Sequence, residues 1–106
     1  MTNKEIAQTI LAQLGGHKFV AMTGAYSFTH GDQSLSMRLP TKLTKGIGGV
    51  RITLDASDTY TMIAFKQKGS FAKGNFEVAE SFKESGIYCD QLTDFFTEAT
   101  GLATSL

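Results

Sequence analysis

The residues of this chain best able to do chemistry are two histidines, one cysteine and a set of C-terminal carboxylates. Neither His17 nor His30 has a Cys, His or carboxylate nearby at metal-ligand spacing, so no zinc or iron signature is present. Cys89 stands directly before Asp90, whose negative charge disfavours a thiolate. A partly buried structural cysteine is expected there rather than a nucleophile. Glu77, Glu80, Glu84 and Asp94 follow no recognised general acid/base spacing. Thr44-Lys45-Gly46-Ile47-Gly48-Gly49 has the composition of a phosphate-cradling loop. That chemistry needs a strand before the glycines and a helix N-terminus after them, and here a strand pattern follows. The residues therefore predict a non-enzymatic protein with no metal and no cofactor.

A basic, aromatic set is the stronger signal. Arg38, Arg51, Lys66, Lys68 and Lys73 interleave with Tyr60, Phe65 and Phe71. Cations that track phosphates and aromatics that stack bases are the equipment of single-strand binders. By strand parity Tyr60 and Phe65 fall on opposite faces, so at least one of them belongs to the core. The candidate contact set for a nucleic acid or another partner is Arg38, Arg51, Tyr60, Lys66, Lys68, Phe71 and Lys73.

The elements that must position these residues are readable from periodicity. Thr2 and Glu5 form a capping box ahead of Ile6, Ile10, Leu11 and Leu14, predicting a helix over Asn3–Leu14 that stops at Gly15-Gly16. His17–Thr23 is apolar on both faces and reads as a doubly covered strand. Tyr26–Gln33 reads as a polar loop with two aromatics. Leu35, Met37 and Leu39 alternate with polar residues as a strand stopped by Pro40, and Thr41–Gly49 reads as loop. Val50–Phe65 is the organising hairpin: Val50, Ile52, Leu54 and then Tyr60, Met62, Ala64 alternate around the turn Asp55-Ala56-Ser57-Asp58. Asn75–Phe82 reads as a fifth strand, with a helix as the competing reading and hence a four-stranded sheet. Asp90 is placed as N-cap of a last helix carrying Leu92, Phe95, Phe96 and Ala99, with Gly101 at its end and Leu102 folding back over it. The predicted fold is α+β: one domain over residues 1–106, an antiparallel sheet with the N- and C-terminal helices packed on it.

Bulk properties fit that outline. The chain has 106 residues, 42% of them hydrophobic, and a single proline, an ordinary globular composition. One cysteine excludes an internal disulfide and points to a reducing cytosol. The N-terminus has no apolar signal region, and no stretch is long and apolar enough for a membrane span. Zero net charge conceals segregation. Arg38, Lys42, Lys45, Arg51, Lys66, Lys68 and Lys73 face only Asp55 and Asp58 across residues 38–73, a net of +5. Lys83 faces Glu77, Glu80, Glu84, Asp90, Asp94 and Glu98 across residues 74–106, a net of −5. A basic centre and an acidic tail can pair within the fold, between two copies or with separate partners.

Gly16-His17-Lys18-Phe19-Val20-Ala21-Met22-Thr23-Gly24-Ala25 resembles a family of short uncharacterised proteins from phages and mobile elements. The similarity continues at Arg51-Ile52-Thr53-Leu54, Asp58-Thr59-Tyr60 and Thr100-Gly101-Leu102-Ala103-Thr104-Ser105-Leu106, and spans most of the chain. The family has no established activity or catalytic residues to carry over. The resemblance implies context: an accessory product acting in a bacterial cytoplasm by binding a host or viral macromolecule, host defence machinery among them. The reading is therefore a regulatory or inhibitory binding protein, with a protein partner or a second copy as its target. Single-stranded nucleic acid or RNA is the alternative.

Overall fold

The structure is a computed structural model that describes residues 2–42, 44, 46–68 and 77–104, the side chains of 67, 68, 77 and 78 excepted. Helix α1 spans Asn3–Leu14 and helix α2 spans His17–Thr23; strands β1 (Tyr26–Gly31), β2 (Ser34–Arg38), β3 (Ile47–Leu54), β4 (Tyr60–Lys68) and β5 (Glu77–Ile87) follow. A 3-10 turn over Cys89–Gln91 leads into helix α3, Leu92–Thr100. The strands form one antiparallel meander in the order β1-β2-β3-β4-β5.

The sequence dictates α1 directly. The Glu5 amide donates to Thr2 Oγ1 at 3.1 Å and the Thr2 amide donates to Glu5 Oε1 at 3.2 Å, closing the capping box. Those bonds from Thr2, the backbone one first, hold the exposed Glu5 carboxyl below its usual range. Ile6, Ala7, Ile10 and Leu14 are buried on one face. Gly15 and Gly16 both take positive φ, which turns the chain sharply after α1.

The expected strand at His17–Thr23 is instead the helix α2. Phe19 and Thr23, one helical turn apart, are its buried residues, while Met22 is exposed and Val20 half-buried. The Thr23 hydroxyl donates to the Phe19 carbonyl at 2.8 Å. Only one helical face is covered, so the run of apolar types does not mark a doubly buried strand; tertiary packing overrides β propensity. Tyr26–Gly31, read as loop, is the edge strand β1, where Phe28 alone is half-buried and the rest is exposed. A strand wet on both faces leaves no apolar alternation to read. β3 begins at Ile47, inside the segment read as loop, and β5 continues to Ile87, well past Phe82. Asp90 is not the N-cap of α3; it lies within the 3-10 turn, where the Tyr88 amide donates to Gln91 Oε1 at 3.1 Å. Gly101 ends α3 in the left-handed conformation, as expected, and Leu102 packs half-buried against the core.

One cluster forms the core. Ile6, Ile10 and Leu14 of α1, Phe19 of α2, and Leu92 and Phe96 of α3 meet Leu35, Met37, Val50, Ile52, Met62 and Ala64 of the sheet. The rings of Phe19 and Phe96 meet edge to face, with centroids 4.8 Å apart and an interplanar angle of 72°. All three helices thus share one face of the sheet, and among the described residues nothing covers the other. The protein is α+β with five antiparallel strands.

Candidate binding face

The uncovered face of the sheet is built by register. Residues directly opposite in an antiparallel pair project to the same side, so the pairings trace ladders across the sheet. One ladder runs Thr29–Ser36–Arg51–Ile63–Lys83 through all five strands. The adjacent ladder runs Tyr26–Arg38–Gly49–Phe65–Glu80. A third, Gly31–Ser34–Thr53–Thr61, ends where the Thr61 hydroxyl donates to Asp55 Oδ2 at 2.7 Å and to Ser85 Oγ at 3.2 Å.

At the centre of this face Arg51 lies over Phe65, its guanidinium carbon 5.4 Å from the ring centroid. The two are diagonal cross-strand neighbours, the spacing at which a long side chain reaches an aromatic ring. Arg51 is exposed while Ile63 and Phe65 are half-buried. Gly49 leaves a gap in its ladder between Arg38 and Phe65; a Cβ there would lie 3.3 Å from the Met37 carbonyl oxygen. Register shifts interrupt the pairing on both flanks of Phe65, between Ile47 and Gly49 in β3 and against Glu80 in β5. Bulges of this kind increase local twist and re-aim side chains. Beside the Arg51 ladder, Thr29, Ser36, Thr53 and His30 help line an open groove of about 370 Å³.

The candidate set divides accordingly. Arg38 and Arg51 stand on the open face. Lys66 is exposed but opposite Ile47 and Ala79, which places it on the helix-bearing side. Tyr60 belongs to the core side as well: it is 4% exposed, and its hydroxyl donates to Gln13 Oε1 at 2.7 Å. Burial raises the Tyr60 phenol above its usual range, with the bond to Gln13 opposing. The backbone of Lys68 ends β4; its side chain, Phe71 and Lys73 lie outside the described residues. Ile63 and Lys83 join the open face beyond the candidate set, as does Tyr26, which the sequence marks as part of an aromatic loop able to dock a partner. The signal for Lys83 was available, since β5 alternation places it opposite the face of Phe82.

On the helix side, Ile6, Leu54, Tyr60, Gln13, Asp58 and Cys89 help line a cleft of about 250 Å³. Cys89 is exposed rather than partly buried. Among the described residues no group of three potential metal ligands forms, and no helix is long and apolar enough to cross a membrane. His17 at the start of α2 and His30 in β1 are both exposed. The glycine run opens into strand β3 rather than a helix, so the phosphate-loop geometry is not met. Comparison with protein-family models, curated proteins and solved structures gives no match to this chain.

Proposed function

We propose that this chain is a non-catalytic binding protein, an accessory product of the phage and mobile-element kind, that docks a protein partner on the open face of its sheet. The observation that carries the reading is the Arg51–Phe65 stack at the centre of a sheet face that no described element covers. A half-buried aromatic under an arginine at the middle of a patch ringed by hydroxyls has the make-up of a protein-binding hot spot. Ile63 and Phe65 supply apolar area, and Arg38, Arg51 and Lys83 supply charge.

Nucleic acid is the weaker fit. One face of the Phe65 ring already carries Arg51, and Glu80 and Asp55 border the ladders where phosphates would pass. Affinity capture from a bacterial lysate, with and without nuclease, tests the reading against an Arg51→Glu variant. A nuclease-resistant protein partner lost in the variant is expected. Binding that vanishes with nuclease, or that ignores Arg51→Glu, overturns it.

A further inference from the structure

We infer that the open face is shaped for an acidic helix and that its occupant is helix α3 of a second copy, so that chains associate head to tail. The inference rests on the docking role of the open face just proposed. α3 buries Leu92, Phe96 and Thr100 on its inner side. On the outer side Asp94 and Glu98 are exposed one helical turn apart, with Thr97 between them, and Asp90 is exposed in the 3-10 turn before the helix. At 1.5 Å per residue the helical part of this stripe is about 6 Å long.

The stripe does little for the helix that bears it. Asp94 sits favourably in the first turn, but Glu98 lies near the C-terminal end, where the macrodipole disfavours an anion. No basic residue in the last turn offsets it.

The open face offers the cations. Arg51 and Lys83 share one ladder two strands apart, roughly 10 Å at the usual strand separation. Arg38 stands in the next ladder, which ends at the exposed Glu80 on β5, so cations outnumber acids three to one across these two ladders; half-buried Ile63 lies between Arg51 and Lys83. The two surfaces cannot meet within one chain. α3 packs through its apolar side against the covered face of the sheet, so its acids point away from the cations on the opposite face. Pairing them requires a second molecule, and the contact is heterologous: sheet of one copy on helix layer of the next. Such a contact leaves one free face of each kind and lets the chain of molecules grow.

Sedimentation velocity on the whole protein tests this, at about 20 mM and about 500 mM salt, because exposed ion pairs weaken with screening. Wild type should form species larger than a monomer at low salt and revert to monomer at high salt. Arg51→Ala disables the sheet side, and Asp94→Ala with Glu98→Ala disables the helix side; each should be monomeric alone, with association weakened at least about tenfold. Mixed one to one, they retain one intact face each and should form a dimer that grows no further. All three positions are exposed, and unchanged circular dichroism and melting show that the variants are folded. A wild-type monomer at low salt, or a mixture that stays monomeric, overturns head-to-tail association. The docking reading then stands or falls separately, on whether Arg51→Glu loses a captured partner.

Discussion

Replacing Phe96 by alanine removes a ring that is fully buried and meets Phe19 edge to face at 4.8 Å. A Phe→Ala change in a packed core costs about 3–5 kcal/mol, transfer and cavity terms together. A chain of this length holds a net stability of about 5–15 kcal/mol, so the variant should lose a large fraction of it. Urea denaturation followed by circular dichroism reads the loss as a lower midpoint at unchanged slope. Phe19→Leu keeps most of the buried area but removes the ring contact, and should cost about 1 kcal/mol, since an aromatic pair adds about 0.5–1.5 kcal/mol beyond burial. The double variant should then lose less than the two single losses combined, because the shared contact is removed only once. If Phe19→Ala lowers the unfolding free energy by less than about 0.5 kcal/mol, where a packed core phenylalanine costs about 3–5 kcal/mol, α2 is not docked on the core through Phe19 and the helical packing described for His17–Thr23 is wrong.

Two further outcomes follow from single residues. Burial raises the Tyr60 phenol above its unfolded value of about 10, so folded chains hold the proton longer. The stability this contributes is complete below about pH 10 and is lost as pH rises through the folded value. Melting of wild type should therefore fall above about pH 10 more steeply than that of Tyr60→Phe. The variant should be weaker by about 1 kcal/mol near neutrality for want of the bond to Gln13. Parallel melting profiles into alkali would refute this. Gly24 and Gly101 both take positive φ, at 71° and 77°, but a Cβ on Gly24 would lie 3.3 Å from Pro40 Cγ whereas one on Gly101 meets open space. Gly101→Ala should cost about 1–2 kcal/mol from backbone strain alone. Gly24→Ala should cost more in the same melting assay, and equal losses would mean the Pro40 contact gives way freely.

What was legible in the sequence is what burial wrote into it. α1 declares itself through Thr2, Glu5 and a one-sided apolar stripe, and β3–β4 through strict alternation from Val50 to Ala64. Both have one dry face and one wet face, so periodicity reports them. β1 has little dry face; its edge position is set by pairing with β2, which no local pattern records. α2 fails in the other direction: Phe19, Val20 and Met22 look like a buried strand, yet only Phe19 is enclosed. The open face was half visible. Arg38 and Arg51 came from the sequence, but Tyr60 was misplaced among them until parity was joined to register. Tyr26 could not be placed, because a register shift between Tyr26 and Thr29 sets its side and leaves Phe28 against the core.

The meander carries a kinetic consequence. Every strand pairs with its neighbour in the chain, so each hairpin closes a short loop at little entropic cost. α1 packs against β1 and β2 near one end of the sequence, and α3 against β4 and β5 near the other. The two ends of the chain are joined where α1 meets α3 and the 3-10 turn before it, and where Phe19 of α2 meets Phe96 of α3. Folding of such a chain is expected to be fast for a β-rich domain, because every strand pairing is between neighbours in the sequence. The contacts of α1 and α2 with α3 close the longest loops and are expected to form after the hairpins.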